Sequence, residues 1–315
     1  SGKRFHRRDR HARRNLLKLS VLSVLCVKSL FWHIFKTQHL WISCRLALGL
    51  CYTTNIEKEE NMLLTIDIGN TNLTLGLFTN GNLGPHWRLA TDHARMADEY
   101  GLQMLGLLEH AQIPLAEIKA VCLASVVPQL TGRVIQACEI YLAQRPFVIS
   151  CEINTGVKIL YDDPRAVGVD RIADAAAVMH RYGGPACVVD FGTATTFNAI
   201  TAAGEYLGGA ITPGLNVAAD ALFHHTAKLP RVDLEAPPSV IGHNTVHAMQ
   251  SGLLFGYVSL VEGMIVRFKA ELGEGTKVIA TGGLSEIIAR HTRSIDVIDP
   301  WLTLDGLRIL WEMNI

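Results

Sequence analysis

Cysteine motifs are missing from this sequence. Its seven cysteines form no C-x-x-C pair and no other spacing that is typical of a metal site: Cys26, Cys44, Cys51, Cys122, Cys138, Cys151 and Cys187. Several lie inside apolar runs, where cysteine behaves as a small hydrophobic residue. We therefore expect a cytoplasmic protein that keeps its thiols reduced and has no disulfide framework.

The chain also lacks net charge, but only as an average. It has 29 Lys and Arg against 29 Asp and Glu, and residues 1–61 hold twelve of the basic and four of the acidic residues. The rest of the chain therefore has eight more acidic than basic residues. A nucleic-acid surface needs Lys and Arg to displace counterions, so we expect no nucleic-acid partner.

Long apolar runs are absent from residues 1–61, where Lys18, Lys28, Lys36 and Arg45 interrupt them. A bilayer span of about twenty residues is not available there, and we expect no membrane partner. Two interpretations of this leader stay open. It is a disordered targeting tail, or it is a non-native upstream translation. Back-translation of Lys58–Met62 gives a purine-rich ribosome-binding sequence just before an ATG, which favours Met62 as the functional start.

A P-loop is absent too, because G-x-x-x-x-G-K-[ST] does not occur. A different phrase occurs twice: "LLTIDIGNTNLTLG" (Leu63–Gly76) and "CVVDFGTATTFNAI" (Cys187–Ile200). Each ends an apolar strand with an acid, which is followed by an apolar residue, a glycine and small hydroxyl residues. The two acids, Asp67 and Asp190, lie 123 positions apart.

The same order of elements surrounds both phrases. Three strands in hairpin succession precede alternating helices and strands, which predicts a duplicated α/β unit with halves at 62–182 and 183–315 and a cleft between them. In the first half we predict strands at 63–68, 73–78, 86–90, 119–126 and 146–150, an Asn-Gly turn at 79–82, and helices at 96–110, 129–144 and 169–181. In the second half we predict strands at 186–190, 195–201, 205–211, 276–280 and 295–298, and helices at 214–227, 245–272, 284–290 and from 302.

The repeated phrase suits the binding of a nucleoside triphosphate. Gly69 allows the backbone to approach phosphate oxygens, while Asp67 and Asp190 would repel them and are better suited to hold a cation. Neutral donors follow in both turns: Asn70, Thr71, Asn72 and Thr74 in the first, Thr193, Thr195 and Thr196 in the second. One copy alone is equally typical of a capped hairpin, but two copies at matching points favour phosphate binding. Thr281-Gly282-Gly283 adds a third turn suited to adenosine.

These residues resemble the actin-like ATPase and kinase superfamily, and within it the type III pantothenate kinases. The motifs that carry the resemblance span residues 62–315 in family order: "DIGNTN" (67–72), "YDDPRAVGVDR" (161–171), "DFGTATT" (190–196), "GGAITPG" (208–214), "AKLP" (227–230) and "IGHNTVHAMQSG" (241–252). Val169 stands where the family usually has alanine. The implied fold is α/β, with two ribonuclease-H-like (actin-like) half-domains whose mixed sheets flank a nucleotide cleft.

The resemblance implies ATP-dependent phosphorylation of pantothenate to 4′-phosphopantothenate, the first step of coenzyme A biosynthesis, with magnesium accompanying ATP. By resemblance, a potassium or ammonium ion falls on Asp190 and the proton acceptor is Asp170. The ATP contacts fall on Asp67, Ile68, Gly69, Asn70, Thr71, Asn72, Leu73, Thr74 and Thr193. The pantothenate contacts fall on Tyr161, Gly168, Val169, Asp170, Arg171 and Thr245. Family members are homodimers, with pantothenate bound near the subunit interface.

Asp170 has independent support as a base, because a hydroxyl that attacks a phosphoryl group needs a proton acceptor. The competing interpretation is an acidic helix start that interacts with the helix dipole. His243 and His247 have the i, i+4 spacing of metal ligands, but no third ligand is evident. Two other functions stay open: an actin-like kinase for another small hydroxylated substrate, and a nucleotide-binding transcriptional accessory protein.

Overall fold

The structure is a computed structural model that describes residues 62–315. It contains two mixed sheets, and the first sheet contains the first acid-glycine phrase. Its strands are β1 (Met62–Ile68), β2 (Asn72–Thr79), β3 (Asn82–Ala90), β4 (Ile118–Ser125) and β5 (Phe147–Val148), in the order β3-β2-β1-β4-β5. β1, β2 and β3 are antiparallel, and β4 and β5 run parallel to β1. Asn80 and Gly81 both have positive φ, as a two-residue hairpin turn requires.

The second sheet repeats this arrangement. Its strands are β6 (Lys158–Ile159), β7 (Ala186–Phe191), β8 (Ala194–Ile200), β9 (Glu205–Pro213), β10 (Lys277–Thr281) and β11 (Val297–Ile298), in the order β11-β10-β7-β8-β9-β6. Strands β7 to β9 are antiparallel, and β10 and β11 run parallel to β7, so β7 corresponds to β1. The additional strand β6 pairs in parallel with β9.

Seven helices cover these sheets within residues 62–315: α1 (Ala97–His110), α2 (Pro128–Tyr141), α3 (Val169–Arg181), α4 (Leu215–His224), α5 (Thr245–Leu272), α6 (Ser285–Ala289) and α7 (Leu302–Glu312). Helices α1 and α2 share a core with one face of the first sheet. Helices α4, α5 and α6 share a core with the second sheet. A third core contains α3, α7 and buried residues of both sheets, so these two helices form the layer between the sheets.

The contact between α3 and α7 is close because Gly306 has no side chain. A Cβ at Gly306 would collide with the backbone carbonyl of Ala173 on α3. Cys122 of β4 also donates from its thiol to the carbonyl oxygen of Leu307 at 3.4 Å. Helix α3, whose first turn carries Asp170, is therefore held against the C-terminal helix as well as against the sheets.

The predicted fold class is confirmed, with two half-domains on mixed sheets, and the helices predicted at 169–181 and 245–272 are confirmed at both ends. The strands predicted at 146–150 and 295–298 are only two residues long, because each lies at a sheet edge with one neighbour. The helix predicted to reach 227 ends at His224, and β6 was not predicted. The division near residue 182 stays a prediction. The predictions for residues 1–61 lie outside the described residues.

One helix of the described region, α5, is long and apolar enough to cross a membrane by length and composition alone. Its buried residues, which include Leu254, Val261 and Ile265, belong to the core of the second half. Packing in that core explains the apolar character of α5. The four cysteines in this region, Cys122, Cys138, Cys151 and Cys187, are free thiols.

Candidate functional site

The first glycine turn joins β1 to β2 and is held by hydrogen bonds from behind. The Gly69 amide donates to the Asn72 carbonyl at 2.9 Å. Thr91, just after β3, donates from its hydroxyl to the Gly69 carbonyl at 2.7 Å and from its amide to the Thr71 carbonyl at 2.8 Å. Asn70, Thr71 and Asn72 stay exposed. The turn is thus fixed by its carbonyl groups while its polar side chains face solvent.

The second glycine turn joins β7 to β8 and is built similarly. The Gly192 amide donates to the Ala194 carbonyl at 3.2 Å, and the Gly214 amide donates to the Thr193 carbonyl at 3.0 Å. A Cβ at Gly214 would collide with the carbonyls of Gly192 and Thr193, so this close approach requires glycine. The start of α4 is thereby held against the turn, and Thr193 stays exposed.

The structure brings the two turns together. The hydroxyl oxygens of Thr71 and Thr193 lie 2.7 Å apart and share a hydrogen bond, although 122 positions separate them in the chain. The third glycine turn lies beside the second. Gly282 has a φ of 86°, and a Cβ there would collide with the Asp190 carboxylate. The three turns, which follow β1, β7 and β10, therefore meet at one place.

Carboxylates crowd the same place. Burial, followed by the charges of Asp170 and Asp190, raises the pKa of Asp67 to about 8. Burial and the charge of Asp170 raise the pKa of Asp190 to about 7, while the Arg88 guanidinium opposes this rise. Asp67 Oδ1 is buried and accepts no hydrogen bond from the described part of the chain, residues 62–315. These acids are close enough to interact, and their site is short of positive charge.

Asp174 belongs to this group although the sequence did not single it out. It lies one helical turn after Asp170 on α3 and is only 1% exposed. Its Oδ1 accepts a hydrogen bond of 2.7 Å from the Thr303 hydroxyl at the start of α7. Burial, followed by the charge of Asp190, raises its pKa well above the usual range. The i, i+4 spacing from Asp170 was the available signal, but "DRIADAAAVMHR" also suits an ordinary helix.

Asp170 lies in the first turn of α3. Its Oδ1 accepts from the Arg171 amide at 2.8 Å, and burial raises its pKa despite that bond and the Arg171 charge. The Arg171 side chain is buried and donates from Nε to Asn198 Oδ1 at 2.7 Å. Tyr206 donates to the same oxygen at 3.0 Å. Arg171 is therefore anchored to the second sheet, and its predicted contact with the substrate stays a prediction.

The other residues predicted to bind pantothenate divide between two places. Gly168 caps α3 immediately before Val169, and Tyr161 lies over Gly208, whose φ of 113° brings the backbone beneath the ring. Thr245 lies elsewhere. It is exposed at the start of α5 and lines a cavity of about 650 Å³ whose other lining residues include Leu222, Leu229, His243 and Leu253. No other predicted pantothenate contact lines that cavity.

Carboxylates are the groups of the cleft that could hold a cation. Within residues 62–315, no group of three or more His, Cys, Asp or Glu side chains is placed to hold a metal ion, and His243 with His247 gains no third ligand. The available donors near Asp190 are carboxylate and hydroxyl oxygens. Oxygen ligands suit hard cations, and the buried Asp67 Oδ1 has no hydrogen-bond partner within residues 62–315.

Comparisons with known proteins agree with this geometry. Residues 63–267 match the family model described as type III pantothenate kinase. A type III pantothenate kinase from Moorella thermoacetica is 52% identical over 253 residues, which are 80% of this chain and 100% of that protein. One from Roseiflexus sp. is 49% identical over 253 residues, 80% of this chain and 99% of that protein.

A solved structure shares the fold. A conserved Campylobacter jejuni protein, described as a Baf family transcriptional activator, matches with a TM-score of 0.53 at 18% identity, covering 79% of this chain and 97% of that chain. At this identity the likeness concerns the fold alone. The family model matches more than half of this chain, and the Moorella thermoacetica relative is 52% identical over its whole length. The chain therefore belongs to the type III pantothenate kinase family.

Proposed function

We propose that this protein transfers the γ-phosphoryl group of ATP to the primary hydroxyl of pantothenate, forming 4′-phosphopantothenate in the first step of coenzyme A biosynthesis. Family membership supports the reaction. The geometry that supports it most directly is the hydrogen bond between Thr71 and Thr193, which joins the two glycine turns beside Asp170. Free thiols, three of them buried, suit the reducing cytoplasm in which we place the reaction.

In this proposal the turns hold the phosphates of ATP. The exposed groups of Asn70, Thr71, Asn72 and Thr193 donate to phosphate oxygens, and the backbone from Asp67 to Thr74 follows the phosphate chain. Magnesium bound with ATP would neutralise part of the phosphate charge. Phosphoryl transfer depends mainly on such positioning and neutralisation, so the protein needs few reacting groups of its own.

Asp170 is our proton acceptor. One of its oxygens accepts from the Arg171 amide, and the other is left to take the hydroxyl proton of pantothenate as the oxygen attacks phosphorus. Burial raises the pKa of Asp170, which makes its carboxylate a stronger base than an exposed aspartate. Tyr161, Gly168, Val169, Arg171 and Thr245 are the pantothenate contacts of this proposal.

Asp190 is the residue that would hold a potassium or ammonium ion. The ion would stabilise the charged carboxylate against the burial and the Asp170 charge that raise its pKa. We expect activity to rise with potassium or ammonium but not with a bulky quaternary ammonium ion. Asp190→Asn should lower both the activity and its potassium response, and a variant that kept both would show the assignment to be wrong.

We also propose a homodimer. Large apolar side chains are exposed on the second half, among them Ile211, Val240, Ile241 and Val266, which are 65–75% exposed. These residues lie on β9, in the segment before α5 and on α5, and a dimer interface on the second half would cover them. Light scattering at several protein concentrations measures the assembly state, and a monomer at every concentration would contradict this proposal.

The decisive experiment is a product assay on the full chain with ATP, magnesium, potassium and pantothenate. We expect pantothenate-dependent ADP formation, with 4′-phosphopantothenate identified by mass. A pantothenate analogue that lacks the primary hydroxyl is the matched control and should give no product. Faster phosphorylation of another hydroxylated compound, such as a hexose, would replace the proposed substrate.

A further inference from the structure

Arg88 on β3 lies near the glycine turns, although none of the sequence motifs includes it. In the register of the first sheet, Thr74 lies opposite Asp67 on one side and opposite Arg88 on the other. Residues directly opposite each other on neighbouring strands point to the same face of a sheet. Arg88 therefore lies in one row with Asp67 and Thr74, at the end of the sheet where the glycine turns are.

The guanidinium of Arg88 reaches from the first sheet to the second half. It lies 4.9 Å from the centre of the Trp301 ring, which in turn packs against the His86 ring at a centroid distance of 4.1 Å and a tilt of 50°. Its Nη1 lies 3.2 Å from the position that a Cβ on Gly283 would take. Its charge also opposes the rise in the pKa of Asp190. Arg88 thus stands between the third glycine turn and the acids of the cleft.

The site needs a cation of this kind. Neither glycine turn contains Lys or Arg, and the carboxyl groups of Asp67, Asp170, Asp174 and Asp190 supply no positive charge. The buried Arg171 side chain already donates to Asn198. Arg88 is exposed, and stacking on an aromatic ring orients a guanidinium without using all of its donors. A planar guanidinium with several donors suits a phosphate group.

We propose that Arg88 binds the phosphate chain of ATP, that Trp301 holds its guanidinium in position, and that Gly283 leaves the space the guanidinium needs. Arg88 thereby supplies the positive charge that lysine supplies in a P-loop. The inference rests on the proposed function, because it takes ATP as the nucleotide. The competing role is a simple counter-charge for Asp190, which would influence the cation site without contacting nucleotide.

The test compares Arg88→Gln, Arg88→Lys and a matched control, Arg145→Gln. Arg145 is 86% exposed and pairs only loosely with Glu139 at 3.7 Å, so its substitution removes the same charge far from the turns. Calorimetry on the full chain gives the Kd of magnesium-bound ADP and of a non-hydrolysable ATP analogue. Steady-state kinetics give KM for ATP and for pantothenate, and thermal unfolding gives Tm.

We expect Arg88→Gln to raise both nucleotide Kd values and the KM for ATP by about ten- to a hundredfold, the usual loss for one charge-assisted hydrogen bond. The KM for pantothenate and Tm should stay near the wild-type values. Arg88→Lys should recover part of the loss, because it keeps the charge without the planar fork. Arg145→Gln should bind nucleotide as the wild type does.

Three results would overturn the inference: unchanged nucleotide Kd in Arg88→Gln, a change confined to the potassium response, or loss of affinity in Arg88→Gln that Arg145→Gln reproduces. If Arg88→Gln failed to fold, Arg88→Lys would decide, since a Kd equal to that of the wild type would refute the phosphate contact. Direct nucleotide binding separates this inference from the proposed function. A chain that binds ATP through Arg88 but leaves pantothenate unchanged would refute only the substrate.

Discussion

Asp170 shows how the surroundings of a side chain can favour one chemical role over another. The residue lies in the first turn of α3, where its carboxylate accepts from the Arg171 amide, and it raises the pKa of Asp67 and Asp190. An acid that only interacted with the helix dipole could do so equally well from an exposed position. Its burial beside two other acids is what favours the role of a base.

We expect Asp170→Asn to lower kcat by about two to four orders of magnitude, the usual value of a positioned acid–base group. Nucleotide affinity should survive, because the turns that we propose to bind phosphate lie elsewhere in the chain. Asp98→Asn is the control, since Asp98 is exposed on α1 and bonds only to Tyr141. Kinetics and nucleotide titration on one preparation test both statements, and a near-normal kcat would exclude Asp170 as the base.

The pH dependence of kcat/KM follows from the same residue. Burial raises the pKa of Asp170, and a base acts only when it is deprotonated. Activity should therefore rise with pH through a value above that of an ordinary aspartate. The acid limb of a pH profile for the wild type measures this value. A limb at the usual aspartate pKa would mean that Asp170 is hydrated in the working enzyme.

Among the elements, the contact between α3 and α7 joins parts of the chain that are far apart in sequence. Helix α7 follows the second sheet in the chain, yet it packs on α3 and shares a core with β1 and β4. Through Thr303 it also fixes the buried carboxylate of Asp174. The orientation of the helix that bears Asp170 thus depends on the last helix of the chain.

Gly306 gives this contact a direct test. A Cβ there would collide with the Ala173 carbonyl, so Gly306→Ala should separate α3 from α7 and destabilise the fold by about 1–3 kcal/mol. In Gly106→Ala, on the exposed face of α1, the added Cβ would meet no described atom within 4 Å apart from the local backbone of α1, and the substitution should stabilise by about 0.5–1 kcal/mol. Denaturant unfolding measures both. Equal effects of the two substitutions would disprove the close contact.

The same elements show what sequence alone could provide. The apolar alternation of β1 and β2, the Asn-Gly turn and the repeated acid-glycine phrase are local signals, and the strands and both turns were predicted from them. The two-residue strands β5, β6 and β11 carry too few residues for a pattern. Asp174 and Arg88 were missed because their importance comes from Thr303 and Trp301, which lie more than 120 residues away in the chain.

For the whole molecule, the crowded acids predict how stability depends on pH. Asp67 has a pKa of about 8 and Asp190 of about 7 in the folded protein, against a usual value near 4. Between these values the folded state binds more protons than the unfolded state, so stability should fall as pH rises from about 4 to about 8. Potassium with magnesium-bound ADP should restore part of it, because cations favour the charged acids.

Thermal unfolding at pH 5, 6, 7 and 8, with and without these ligands, measures this prediction. Asp67→Asn removes the acid with the higher of these two pKa values, so the Tm of this variant should depend less on pH. The exposed substitution Asp98→Asn should leave the profile unchanged. A wild-type Tm that rises steadily from pH 5 to pH 8 without added cations would contradict the crowding of acids in the cleft.

The last prediction concerns how much of the chain the reaction needs. Both sheets and every predicted site residue lie within 62–315, and curated relatives are covered over 99–100% of their length by 253 matched residues. We therefore expect a protein that begins at Met62 to keep its Tm and its kcat for pantothenate within about twofold, since the matched residues alone cover whole relatives. A protein that begins at Gly69 should not fold, because β1 pairs with both β2 and β4 in the first sheet. Loss of soluble fold or of activity on removal of residues 1–61 would show that the leader takes part in the enzyme.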